Sequence, residues 1–311
     1  MKKTSFKRPT KKKNKVKRTC FLLLFILGMT LTYQYLNDTN INLDNKELVE
    51  ILLSNTKETS LLKKIITDFF PTKKEAIKTL IKANYKGLIV EEKIKKIKPA
   101  ITINKKEPLI YIYNTHQTEE YTPNSFVEYS VKPTVQMNNY ILEEKFEEKK
   151  YPTIVEERNI KEVLNEKGLN YAGSYQASRV FLEDAKKNYP TLKYFIDVHR
   201  DSLPKSRTTV TIDNKNYATI LFIVGLENPD YTKNLEFTEK INQKLNEKFP
   251  NLSKGIYKKQ GIGVNGIYNQ DFSPFTILVE MGGPGNTIDE VLNTSLAFSS
   301  CFLEVIDEYE L

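Results

Sequence analysis

Leu109-Ile-Tyr-Ile-Tyr-Asn-Thr-His-Gln-Thr-Glu-Glu-Tyr121 is a strand that runs into a polar break. Ile110 and Ile112 are β-branched and alternate with Tyr111 and Tyr113, a composition suited to a pleated, buried surface. The apolar run stops at Asn114. His116 lies at the break and Glu119 follows three residues later. The chain contains only two histidines. The second, His199, sits in Tyr194-Phe-Ile-Asp-Val-His-Arg-Asp-Ser202, another apolar run with a polar end. Two rare residues at equivalent places on two strands point to one shared site.

Outward from this stretch, strand-like and helix-like runs alternate. Helices are expected near 160–168 and 175–188, then a strand over 194–198. Strands follow at 208–212 and 218–224, a helix near 232–249, a strand over 275–280 and a last helix near 288–309. This pattern predicts an α/β fold, with a mostly parallel or mixed central sheet and helices on both faces. In such sheets, sites form beyond the carboxyl ends of the strands. The strand Thr276-Ile-Leu-Val-Glu280 also ends on an acid, so His116, His199 and Glu280 are expected on one rim.

The 311 residues suffice for one substantial core plus accessory segments. The net charge of +8 suggests a nucleic-acid binder until it is located. Residues 1–18 hold ten Lys/Arg and no acid, so the rest sums to 8 − 10 = −2. A nearly neutral body argues against a nucleic-acid surface. The two cysteines, Cys20 and Cys301, exclude a disulfide framework and a cysteine-rich metal site.

Four segments are expected. Residues 1–19 form a basic cytoplasmic tail. Residues 20–36 carry no charge and just reach the span of a membrane helix, about 17 residues at minimum. No small-x-small cleavage site follows, which favours an uncleaved transmembrane anchor over a secretory signal. The basic flank then stays inside, and the remainder lies outside the cytoplasm. Residues 37–104 show helical spacing and read as a membrane-proximal stem. Pro99 and Asn104-Lys-Lys-Glu-Pro108 precede a catalytic domain over 105–311.

Two imidazoles and one carboxylate form the ligand set of a catalytic zinc with a position open for water. Zinc lowers the pKa of that water and polarises a carbonyl. A further carboxylate must take the proton and pass it to the leaving amine. Glu280 is the candidate, followed by Met281-Gly-Gly-Pro-Gly285, expected to let backbone approach a substrate closely. Simpler readings stand beside these. Glu119 or its neighbour Glu120 could be a solvated loop charge, and Glu280 a buried structural acid. Thr287-x-x-Glu290 is a capping box starting the last helix.

Four segments carry a family likeness. They are Ile112-Tyr-Asn-Thr-His-Gln-Thr-Glu-Glu-Tyr121, Tyr171-Ala-Gly-Ser-Tyr-Gln-Ala-Ser-Arg179, Ile196-Asp-Val-His-Arg-Asp-Ser202 and Leu278-Val-Glu-Met-Gly-Gly-Pro-Gly-Asn-Thr287. In order and spacing they resemble the bacterial stage II sporulation protein P family, over about residues 105–311. The resemblance implies a zinc-dependent N-acetylmuramoyl-L-alanine amidase of phosphorylase-hydrolase-like fold, associated also with endopeptidase cleavage of cross-links. It implies action on peptidoglycan during forespore engulfment, with stage II sporulation proteins D and M as partners, in the space between forespore and mother cell. Carried onto this chain, His116, Glu119 and His199 are the zinc ligands and Glu280 the general base and acid.

Supporting roles follow. Asp197 or Asp201 could fix the tautomer of a ligating imidazole. Arg200 could bind a substrate carboxylate or an oxyanion, or pair with Asp201. Arg179 could do the same, or only tie its helix to the sheet. Tyr268 and Phe272 could line a glycan-peptide groove. Lys254, Lys258 and Lys259 could attract an acidic wall polymer from an otherwise solvated loop. A zinc peptidase and a non-catalytic wall-binding subunit are the competing functions.

Overall fold

Strand β1 (Ile110–Tyr113) is buried along its whole length, as is β3 (Tyr194–His199). The computed structural model describes residues 44–46, 49, 107–122 and 133–310. The tail, the expected anchor over 20–36 and most of the stem lie outside the described residues. Among the described residues, no helix is long and apolar enough to cross a membrane.

Four further strands join these two in a six-stranded sheet: β2 (Thr153–Val155), β6 (Ile220–Gly225), β7 (Ser253–Lys259) and β8 (Thr276–Met281). Their order is β2-β1-β3-β8-β6-β7. The first four run parallel; β6 is antiparallel to β8, and β7 is parallel to β6. The sheet is therefore mixed. Its reversal sends the end of β6 away from the rim where β1, β3 and β8 finish.

Alternation along the strands divides the core in two. Ile110, Ile112, Tyr194, Ile196, Val198, Ile277, Val279 and Phe222 face one side. Against them pack Leu142 and Phe146 of α1 (Gln136–Glu148), Phe237 and Ile241 of α5 (Tyr231–Lys248), and Phe298 and Phe302 of α6 (Ile288–Glu310). Each such side chain contributes about 1.5–3 kcal/mol by leaving water, so this layer anchors the sheet from one side. On that face Tyr111, Tyr113 and Phe195 meet α2 (Ile160–Glu166) and α3 (Ser174–Asn188) through Ile160, Leu164, Phe181 and Leu182. These two helices cover only the β2-β1-β3 half. Over β8 and β6 the same face carries Tyr268, packed on Ile223 and Leu278.

The structure departs from the sequence pattern in four places. The expected strand near 208–212 is β4 (Thr209–Ile212), but it pairs only with β5 (Lys215–Ala218) in a separate antiparallel hairpin. Asp213 and Asn214 turn it, both at positive φ, which suits a two-residue turn of the I′ type. A short α4 (Lys205–Thr208) precedes it. Helix α1 and strand β2 form where no element was expected. The lysines at 254, 258 and 259 are not in a loop: they lie on β7, an edge strand, where charge discourages further pairing.

The glycine-rich turn after β8 is also corrected. A Cβ on Gly283 would fall 2.4 Å from the Leu203 carbonyl oxygen, and one on Gly285 2.9 Å from Lys205 Cβ. Its close approach is to the chain's own 203–205 segment, not to open space where a substrate could lie. Asn286, fully buried, fastens the turn through Gly283 N–H, Thr208 Oγ1 and Thr209 Oγ1. The capping box forms as expected: Thr287 N–H donates to Glu290 Oε2 at 2.9 Å, and Glu290 N–H to Thr287 Oγ1 at 3.4 Å.

Candidate active site

The parallel register places Tyr113 beside Asp197 and His199 beside Glu280 on adjacent strands. Paired residues share a face, so Asp197, His199 and Glu280 all stand on the half-covered side of the sheet. Beyond β1 the chain turns tightly, with Glu119 N–H donating to the His116 carbonyl at 3.1 Å. That turn brings Glu119 back over the end of β3, where its Oε2 accepts the Arg200 N–H at 2.9 Å.

The result is a cluster. His116 Nδ1 lies 3.6 Å from Glu119 Oε1, and His199 Nδ1 lies 3.6 Å from Glu119 Oε2. One ligand atom from each of His116, Glu119 and His199 falls within 4.8 Å of the others. Tetrahedral zinc with ligands at about 2.0–2.2 Å separates its donors by about 3.3–3.6 Å. The two imidazoles each stand 3.6 Å from a different oxygen of the Glu119 carboxylate, near that spacing, and the N/N/O donor set suits the ion's borderline character.

Asp197 is the acid beside the imidazole; Asp201 is not. Asp197 is fully buried, and its Oδ1 lies 3.0 Å from His199 Nε2, although the ring nitrogen has no aligned hydrogen-bond partner. The same carboxylate accepts Thr115 N–H at 2.9 Å and Thr115 Oγ1–H at 2.6 Å, and Thr115 Oγ1 is 2.9 Å from Ser178 Oγ. Asp201 Oδ1 instead accepts Leu203 N–H.

The buried carboxylates favour positive charge in the cluster. Burial would keep His199 neutral, but Asp197 and Glu119 outweigh it and lift the imidazole to about 10. Burial would likewise raise Glu119, yet His116, His199 and the Arg200 N–H hold it at about 2. Glu280 goes the other way. Burial first, then the charge of Asp201, raises it to about 7, against the pull of Lys259 and His199. A carboxyl poised near neutrality beside a cation-seeking cluster has the character of a general base.

Two tyrosines complete the site. Tyr171 stacks on His116 with ring centroids 4.6 Å apart and keeps 61% of its own surface exposed. Tyr175 meets His116 edge-on at 5.8 Å, lies parallel to His199 at 6.4 Å, and meets Tyr268 edge-on at 5.3 Å. No role was assigned to Tyr171 or Tyr175 from sequence, although both lie in the motif Tyr171–Arg179.

The remaining expected residues are placed differently. The Arg200 guanidinium donates to the carbonyls of Glu120 and Asp201 and does not pair with the Asp201 carboxylate. Arg179 takes the tying role: it grips Asp271 with two bonds of 2.8 and 2.9 Å, pairs with Glu183 and lies over Phe272. Tyr268 is 6% exposed and so offers a substrate little contact; it buttresses Tyr175. Phe272 packs edge-on against Phe195, within the second core layer.

A family model described as "Stage II sporulation protein P (SpoIIP)" matches residues 31–303. The chain belongs to the stage II sporulation protein P family. A curated relative, Stage II sporulation protein P of Bacillus subtilis (strain 168), is 34% identical over 203 residues, covering 63% of this chain and 51% of the relative. The chain thus spans about half the length of the curated relative it matches. Among solved structures it is similar to the CwlD amidase from Clostridioides difficile in complex with the GerS lipoprotein. That match has 11% identity and a TM-score of 0.42, over 65% of this chain and 98% of that one. It is also similar to a metallo-carboxypeptidase from Burkholderia cenocepacia, at 10% identity and a TM-score of 0.35, over 65% and 58%.

Proposed function

We propose that this chain is a peptidoglycan hydrolase that acts in sporulation and cuts the amide between N-acetylmuramic acid and L-alanine. His116, Glu119 and His199 would hold Zn2+, which when bound supplies an acidified water and an electrophile for the carbonyl. The supporting observation is the juxtaposition of three convergent donors with Glu280, the register neighbour of His199. Membership of the stage II sporulation protein P family supports a peptidoglycan substrate.

Each residue then has a task. Asp197 holds the His199 ring from behind, and Thr115 holds Asp197. Glu280, raised towards 7, accepts a proton from water and returns it to the leaving amine. Arg200 fixes Glu119 through its backbone N–H, and its guanidinium stands at the same rim to meet negative charge on the reacting carbonyl. Tyr171 walls the His116 side and presents an exposed ring to the substrate.

In this reading residues 20–36 anchor the chain in the membrane, 37–104 form the stem and 105–311 the catalytic domain outside the cytoplasm. Its partners are stage II sporulation proteins D and M, acting during engulfment. The test is digestion of purified peptidoglycan by the full chain in detergent, with chelator and after zinc is restored. Mass analysis should find free stem peptides beginning with L-alanine. Shortened peptides still attached to muramic acid would mean a peptidase, and intact wall with zinc-loaded protein would end the hydrolase reading.

A further inference from the structure

The face that carries His199 and Glu280 continues across β6 to β7. Register pairs Leu221 with Glu280, Ile223 with Tyr257 and Gly225 with Lys259. Period-two alternation therefore puts Tyr257 and Lys259 on the Glu280 side and Lys258 on the other. The lysines of this segment are thus not equivalent, and only Lys259 shares that face at the rim of the Tyr268 pad.

Lys259 is held in place without being neutralised. Its Nζ lies 5.5 Å from the centre of the Tyr257 ring and 6.0 Å from that of Tyr268. Tyr268 continues edge-on to Tyr175, and Tyr175 to the two histidines, so an aromatic row links the cation to the cluster. Among the described residues Lys259 forms no ion pair, whereas Lys193, Lys205 and Lys248 each pair with a glutamate. Gly225 makes the arrangement possible: a Cβ there would come within 2.9 Å of the Tyr268 ring.

We propose that Lys259 binds a carboxylate of the stem peptide and so selects muramoyl peptides whose acidic groups are free over amidated ones. This rests on the reading of the site as a peptidoglycan hydrolase. The scissile amide has a neutral sugar on its acyl side and an acidic peptide on its amine side. Across the sheet Lys259 lies beyond Glu280, on the β6–β7 side of the cluster and set back from the rim along the strands; that side is assigned to the peptide, and Tyr171 on the His116 side to the sugar. An ammonium resting on ring faces keeps its remaining donors for a carboxylate, and the pair forms partly out of water.

The test uses two N-acetylmuramoyl peptides that differ only in having free or amidated side-chain and terminal carboxyls. Each is titrated calorimetrically into the full chain and into its Lys259→Met and Lys259→Arg variants, with cleavage followed in parallel. Wild type should prefer the free acid by about tenfold, as one charge-assisted contact implies. Lys259→Met should bring the ratio close to one, and Lys259→Arg should restore most of it. A wild-type ratio near one, a Met variant that keeps the preference, or no binding of either peptide overturns the assignment. Binding preference lost in Lys259→Met with neither peptide cleaved supports Lys259 and removes the hydrolase reading. Cleavage of both peptides without preference does the reverse.

Discussion

Glu280→Gln should do two opposite things. The carboxyl is raised from an ordinary 4.5 to about 7, first by burial and then by Asp201. Between those two values the native state keeps a proton that the unfolded chain has released, so stability falls as pH rises through that window. At about 1.36 kcal/mol per tenfold, the ionised group costs the native state roughly 3 kcal/mol. Partial exposure to solvent reduces this to about 1–2 kcal/mol. Gln keeps the shape and carries no charge. In chelator, the variant should match wild type more closely at pH 5 and exceed it by about 1–2 kcal/mol at pH 8. Urea melts of both proteins at both pH values measure this. Peptidoglycan hydrolysis should meanwhile drop by about 10²–10⁴, the usual contribution of a positioned base, with zinc content kept. Wild-type activity should rise with pH on a limb at or below 7, because a bound cation pulls the carboxyl down. Equal stability of the two proteins at pH 8 would refute the claim of a desolvated carboxylate. Normal turnover by the variant would refute its role as base.

Three further outcomes follow from the same geometry. His116→Ala, Glu119→Ala and His199→Ala should each lose bound zinc by elemental analysis; a Glu119→Ala protein that kept it would make Glu119 a bystander. Asp197→Asn should weaken zinc affinity by about 10–100-fold in competition with a chelator, as partners of ligating histidines do, and unchanged affinity would strip Asp197 of that role. Glu290 is held below its ordinary pKa, with burial opposed by Thr287 N–H, Lys205 and Asn286. Its contribution should therefore be full above about 4.5 and fade as pH falls through its lower folded value. Glu290→Ala should cost about 1–2 kcal/mol at pH 7 in a urea melt, and less at pH 3.

Much of the fold was legible because its strands are short apolar runs that stop sharply. Tyr194–His199 and Thr276–Met281 show this: both are buried almost throughout and mostly apolar, Asp197 being the one acid before the rim. Segment β7 escaped notice for the converse reason. Ser-Lys-Gly-Ile-Tyr-Lys-Lys lies at an edge, is half exposed, and reads as a solvated loop. Helix α1 was legible in principle, with Met137, Ile141, Leu142 and Phe146 buried at helical spacing, although the polar residues around it mask the stripe.

Sequence alone determined which side chains could do chemistry. Two histidines in 311 residues, each closing an apolar strand, single out His116 and His199 because a strand's end is where a buried run first meets solvent. Spacing also placed Glu119 on the turn with His116. Only the tertiary structure decided between residues that sequence left equal. Asp197, not Asp201, lies behind His199 because β3 ends at His199: Asp197 shares the strand and its face, whereas Asp201, equally two residues away, is already in the turn that follows. Arg179 is tied to Asp271, 92 residues away. Lys259 is separated from Lys258 by the same alternation, once the antiparallel β6 carries the Glu280 face across to β7. Register across strands is a long-range property, and no local pattern encodes it.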